Sequence, residues 1–273
     1  MKSHPRCRSV LAEKRLHFFR FANSDTAIEL IKKTILQGAE AYCVLMNMLS
    51  PLDKSPERMK CLLDAMEGRP AYIANYIGGN SEPSLTDDDL AEQLLDMARL
   101  GVDLIDIRTD MFCRTQGEVT RDLAAVRKQK KLISELHKIG SEVLMSTHIG
   151  EYRSPESILE IGMLQKERGV DIAKIVTQVE SEKECDDAFK TNLLLKERLG
   201  IPFLFLCNGS HCKNHRLLNP VFGLCMYLCR ENSNTSTVQP TIEATKAVRE
   251  TFLRKKHNGE HPKGLTHHAL ALL

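Results

Sequence analysis

The chain has 273 residues, enough for one large α/β domain or two small ones, and its 42% hydrophobic and 27% charged composition suits a buried core. A net charge of +2, from 38 basic and 36 acidic residues, gives no electrostatic basis for binding nucleic acid or anionic lipid, and the absence of tryptophan argues against base-stacking platforms. No apolar run approaches the roughly 18 residues of a membrane span, no secretory signal pattern follows the basic start, and nine cysteines, an odd number, point to reduced thiols in a cytoplasmic protein.

Short β-prone runs alternate with helical patterns along nearly the whole chain. Residues 15–21 form the first run, and Ser24-Asp25 then opens a helix with Ile28, Leu30, Ile31, Ile35 and Leu36 on one face, Ser24 as its N-cap and Gly38 as its stop. Residues 41–46 are the second strand, and Ser55-Pro56-Glu57 starts the next helix with proline in its first turn. Residues 71–76 are the third strand, followed by the acidic helix start Thr86-Asp87-Asp88-Asp89, whose charge suits a helix N-terminus. Residues 102–107 and 143–147 are the fourth and fifth strands, with a helix between them ending near Gly140 and another running from Ser154-Pro155-Glu156 to Gly169.

The sixth strand is 172–176, with a helix from about Ser181 to Gly200. The seventh is 202–207, followed by a short polar link through Arg216; the eighth is 221–228, and a last helix covers about 241–252. The runs are continuously apolar, as parallel strands covered on both faces should be. This pattern predicts a single-domain (β/α)8 TIM barrel over residues 1–273 with its core at about 15–252, a fold that commonly takes about 250 residues. No Gly-rich phosphate loop follows the first strand, since Arg20-Phe21-Ala22-Asn23 is nothing like one.

In such a barrel the chemistry sits at the carboxyl ends of the strands. Two reactive side chains fall there on consecutive strands, His148 at the end of Val143-Leu144-Met145-Ser146-Thr147-His148 and Lys174 within Asp171-Ile172-Ala173-Lys174-Ile175-Val176. An amine able to lose a proton, with a base beside it, is what Schiff-base chemistry needs. A free lysine titrates near about 10.4, so a second cation near the amine is the expected means of freeing its lone pair, and Arg108 is the candidate. Cys207, His211, Cys212 and His215 lie close together, but their spacing fits no ordinary zinc pattern, so no metal is expected.

These segments resemble the type I 3-dehydroquinate dehydratases. The likeness rests on the histidine strand followed by Ser154-Pro155-Glu156, on the lysine strand, and on Arg216-Leu217-Leu218-Asn219-Pro220-Val221-Phe222-Gly223 followed by Gln239, with Val102-Asp103-Leu104-Ile105-Asp106-Ile107 as a weaker match. The resemblance implies a lyase that dehydrates 3-dehydroquinate to 3-dehydroshikimate through an imine on Lys174, with His148 as acid and base. It further implies that Arg216 pairs with the substrate carboxylate, that Gln239 and Thr235 or Ser236 bind ring hydroxyls, and that no cofactor is needed. The implied partner is a small cyclic hydroxy-keto carboxylate, with no nucleic acid and no membrane, in a cytoplasmic protein that can form a homodimer.

The first half departs from the family pattern. A Glu-x-Arg pair at the end of the second strand is replaced by Leu45 and Asn47, an arginine at the end of the third by Tyr76, and a glutamate in the fourth by Arg108; the loop Gly78-Gly79-Asn80 keeps the glycines without the family's acid. Two other functions fit the same residues: a Schiff-base aldolase or dehydratase acting on another small oxo acid, and a catalytically silent barrel that binds a metabolite.

Overall fold

The computed structural model describes residues 15–19 as backbone, and 24–76, 85–223, 225–231 and 238–252 in full. Among the described residues eight strands and eight helices alternate: β1 (Arg15–Phe19), α1 (Ser24–Gln37), β2 (Ala41–Leu45), α2 (Pro56–Ala65), β3 (Ala71–Ala74), α3 (Asp87–Arg99), β4 (Leu104–Arg108), α4 (Leu123–Ile139), β5 (Glu142–His148), α5 (Pro155–Glu167), β6 (Ile172–Gln178), α6 (Glu182–Arg198), β7 (Phe203–Asn208), α7 (Cys212–Leu218), β8 (Tyr227–Cys229) and α8 (Ile242–Phe252). All strand pairs are parallel and belong to one sheet in the order β7-β6-β5-β4-β3-β2-β1-β8. The result is a curled, TIM-barrel-like α/β fold. Between its two end strands, β7 and β8, no ladder is described; among the described residues one backbone hydrogen bond spans the gap, from the N–H of Cys225, two residues before β8, to the Phe203 carbonyl at 3.0 Å. Among the described residues no helix is long and apolar enough to cross a membrane.

The helix starts follow the expected capping chemistry. Ser55, Ser154 and Ser181 each accept a backbone N–H three residues on, and Thr86 with Asp89 closes a reciprocal capping box. Gly140 ends α4 in the left-handed region at φ 115°, where any other residue would be strained. Ser24 behaves differently from the N-cap expected of it: it is the first helical residue, and its N–H and hydroxyl both bond Asp53 Oδ1, at 3.1 and 2.6 Å.

The end of the barrel also differs from the expected pattern. The polar link through Arg216 is the helix α7, followed by a 3-10 turn at Asn219–Phe222. The eighth strand, expected over 221–228, is confined to Tyr227–Cys229. Pro220 has no N–H to give a ladder, and Gly223 at φ 110° turns the chain before the strand can start.

Alternate residues of each strand face opposite ways. Tyr42, Val44, Ile73, Ile105, Ile107, Val143 and Met145 pack with the helices through Ile31, Leu62, Leu94, Leu132 and Leu136. The other parity, including Ala41, Cys43, Tyr72, Ala74, Leu104, Leu144, Ile172 and Leu204, fills the inside of the curl. Small residues on β2 and β3 leave room there for the Tyr72 ring.

A buried polar network outside β4, β5 and β6 sets where the loops leave the sheet. Arg168, 5% exposed at the end of α5, donates to the Thr109 carbonyl at 2.5 Å, the Thr120 carbonyl at 2.5 Å and Gln129 Oε1 at 2.8 Å. Gln165 donates to the hydroxyls of Thr109 and Thr147 and to the carbonyl of Lys174, at 2.9, 3.1 and 3.1 Å. Replacing Arg168 with methionine would leave buried acceptors unpaired, each at about 1–3 kcal/mol. A loss of about 3 kcal/mol is expected, read as a lower urea midpoint at unchanged slope.

Candidate active site

The pairing register fixes where the reactive side chains sit. Lys174 lies opposite Ser146, which lies opposite Arg108, so all three share the inner face. His148 is on that face too, one two-residue repeat or about 6.6 Å closer to the carboxyl edge. Asp106 enters from β4, opposite Ala74, and Tyr72 from β3, opposite Leu104.

Lys174 is 4% exposed, and its amine donates to Asp106 Oδ2 at 3.0 Å, to the Tyr72 hydroxyl at 3.0 Å and to the Tyr76 hydroxyl at 3.3 Å. Three partners take up its three N–H bonds. Both phenols donate to Asp106 Oδ2, Tyr76 at 2.6 Å, and the amine stands 5.6 and 5.9 Å from the two ring centres. Asp106 is fully buried; its Oδ1 has no partner among the described residues. Burial, then the Asp106 charge, raises both phenols well above the ordinary tyrosine value, so they are donors at neutral pH.

The charge beside the amine is therefore an anion, where a cation was expected. Arg108 is engaged elsewhere: it donates to Asp110 Oδ1 at 2.9 Å and Oδ2 at 3.1 Å, and pairs with Glu118 Oε1 at 3.1 Å. Its partner Glu118 holds the histidine. Glu118 Oε2 accepts the His148 backbone N–H at 2.8 Å and stands 3.1 Å from Nδ1, a geometry that leaves Nε2 turned away from the carboxylate. Glu118 does this from the left-handed region, at φ 56°, a costly conformation for a residue with a side chain. On its other side the His148 ring meets the Tyr76 ring edge-on, 5.6 Å between centres at 76°. Tyr76 thus touches both the amine and the imidazole.

Arg216 and Gln239 are in contact. The buried Arg216 guanidinium donates to the Cys207 carbonyl at 2.5 Å, to Asn208 Oδ1 at 2.5 Å and to Gln239 Oε1 at 3.1 Å. Every one of these acceptors is neutral, and among the described residues Arg216 has no acidic partner. Burial lowers its pKa to about 10, which still leaves it charged at neutral pH. Thr235, Ser236 and Gly78-Gly79-Asn80 lie outside the described residues.

Cys207, His211, Cys212 and His215 do not converge. His215 is buried between Phe189 and Phe205 with Nε2 3.1 Å from Asn192 Oδ1, and burial drops its pKa to about 3. Among the described residues no group of three or more His, Cys, Asp or Glu could hold a metal ion. A surface cleft of about 400 Å³ opens beside α6, lined by Glu182, Phe189, His211 and Lys213, away from Lys174.

Four residues of the site were missed by sequence reasoning. A charge inside the apolar run Leu104-Ile105-Asp106-Ile107 was a usable signal, because a buried carboxylate needs a partner. Tyr72 and Asn208 carry no such mark, and Glu118 lies in a loop whose shape no local pattern announces.

No protein-family model and no curated protein matches the sequence. The structure is similar to 3-dehydroquinate dehydratase from Geobacillus kaustophilus HTA426, at TM-score 0.74 and 16% identity over 89% of this chain and 93% of that one. It is similar too to the type I 3-dehydroquinate dehydratase of Clostridium difficile with covalently modified comenic acid, at 0.75 and 15% over 88% and 92%. The enzyme from Aquifex aeolicus VF5 gives 0.66 and 18% over 89% and 100%. At such identities the likeness is one of fold.

Two predictions follow from the charges. Asp106→Ala strands the buried Lys174 cation and should cost about 3–5 kcal/mol. The double variant Asp106→Ala/Lys174→Met should lose less than the sum of the single losses, by at least about 1 kcal/mol in denaturant titrations. For Glu118, burial alone would raise the carboxyl pKa, but the His148 hydrogen bonds and the Arg108 charge outweigh it and hold it below the usual range. A lowered folded-state value contributes stability above the ordinary carboxylate pKa of about 4.3 that is lost as pH falls through the lowered value. Glu118→Gln should therefore flatten the acid limb of unfolding free energy against pH.

Proposed function

We propose that the chain is an imine-forming carbon–oxygen lyase of the 3-dehydroquinate dehydratase kind, built on a closed (β/α)8 barrel. The observation that carries this reading is the joint setting of Lys174, His148 and Arg216: an amine, an oriented imidazole and a buried cation without an acidic partner, on β6, β5 and the segment after β7. An unpaired buried cation is costly unless an anion arrives, and a substrate carboxylate supplies it. Two of its five N–H bonds have no partner among the described residues, enough for a planar two-pronged contact.

In this mechanism the Lys174 nitrogen attacks the ketone carbon, and the carbonyl oxygen leaves as water. The protonated imine draws electrons from the neighbouring carbon. His148 takes the proton from that carbon, the C–H pair forms an enamine, and the enamine expels the β-hydroxyl, which leaves as water with the proton that His148 returns. Hydrolysis of the imine frees Lys174. Glu118 keeps the imidazole turned for both transfers. Gln239, anchored by Arg216, is assigned with Thr235 to the ring hydroxyls. The chemistry asks for no metal or organic cofactor, because the imine is the electron sink, and a cytoplasmic homodimer is the setting we assign.

A second reading, a barrel that binds a small oxo acid without turning it over, rests on the cage of Asp106, Tyr72 and Tyr76 around the amine and on Leu45 and Asn47 in place of charged groups. Borohydride reduction in the presence of 3-dehydroquinate, followed by mass spectrometry, separates the two. A stable adduct on Lys174, absent from Lys174→Ala, is expected. His148→Ala should still form the adduct while elimination slows by about a hundredfold or more. An adduct with other small oxo acids alone would move the substrate, and none with any ketone would leave the binding barrel.

A further inference from the structure

Resting on the imine-forming reading above, we infer that Tyr76 is a third proton-carrying group of the site, exchanging protons between the Lys174 nitrogen and the substrate oxygen while the imine forms. The amine has three neighbours, and two of them, Asp106 and Tyr72, are fully buried. Tyr76 is half-buried, at the end of the contact between the amine and His148. Of the three neighbours it is the one whose side chain keeps exposed surface, on the side toward His148 and the carboxyl edge of the strands. The longest of the three hydrogen bonds to the amine is also its own, 3.3 Å against 3.0 and 3.0 Å, so it is the contact most readily exchanged for substrate. Its hydroxyl also has Asp106 Oδ2 at 2.6 Å and Ser146 Oγ at 3.4 Å.

The proton balance runs through Asp106 and Tyr76 together. One ammonium proton passes to Asp106, whose Oδ1 is buried and has no partner among the described residues, and the nitrogen keeps the electron pair. That pair forms the C–N bond, and the carbonyl π pair moves to oxygen. Tyr76 gives its O–H proton to this alkoxide while its oxygen takes a proton from the cationic nitrogen, leaving a neutral carbinolamine and an unchanged phenol. The nitrogen pair then breaks the C–O bond, and the departing hydroxide takes the proton held by Asp106 and leaves as water. The net change is ammonium plus ketone to protonated imine plus water, with both side chains restored. Burial keeps the phenol protonated, so it acts by simultaneous exchange and never stands as a phenolate.

Tyr76→Phe tests this, because the ring against His148 stays and only the hydroxyl goes. Single-turnover imine formation with 3-dehydroquinate, quenched by borohydride, should slow about a hundredfold, the lower range for a lost acid–base group. The wild-type rate should fall in D2O, and the variant should lose that dependence. Binding of the corresponding hydroxy acid, in which an alcohol replaces the ketone, should stay within about twofold, which a collapsed pocket would not allow. An adduct formed at the wild-type rate by Tyr76→Phe would overturn the relay while leaving Lys174 as nucleophile; no adduct in the wild type would overturn both.

Discussion

A buried ion pair, Lys174 with Asp106, is the constraint around which the inside of this fold is arranged. Neither charge is tolerable there alone, and the pair holds because two phenols add hydrogen bonds to one carboxylate oxygen. The demands spread outward from it. Tyr72 needs Ala41, Cys43 and Ala74 to be small, and β3, β4 and β6 must keep a register that aims side chains of different depth at one point. Hydrophobic side chains of similar volume would fill such a core without charge, so stability alone does not account for the pair.

The histidine is held by a different device. Glu118 comes from the loop after β4, bent into a left-handed conformation and clamped by Arg108, while Arg168 secures the backbone of the same loop at Thr109 and Thr120. The solved dehydratases share the fold at low identity, and this chain lacks the charged groups expected at the ends of β2 and β3. The anion beside the imidazole comes from the loop after β4. Arg108 on β4 neutralises and steadies Glu118.

Much of the scaffold is legible in the amino-acid order. Strands covered on both faces must be continuously apolar, and serine or threonine followed by an acid three residues later marks where helices begin, as at Thr86 and Ser181. That Lys174 and His148 share one face of adjacent strands could be seen because each lies near a marked strand end. Helix α7 could not, since seven residues give too few turns for an apolar face to repeat, and β8 was overextended because Val221 and Phe222 look like strand until Pro220 is considered. The sign of the charge beside the amine was missed for another reason. It depends on which long side chains bend toward one another inside the curl, and spacing along the chain carries no such information.

The perimeter of the sheet is laced by ladders between every neighbouring pair of strands except at β7 and β8, where a single bond from Cys225 to Phe203 spans the gap among the described residues. A curled sheet fastened so unevenly opens first at its thinnest seam. Helix α7 stands beside that seam, and Arg216 is bonded to both of its sides, to Cys207 and Asn208 on one and to Gln239 on the other. The arginine thus acts as a stitch that holds the two margins of the sheet together.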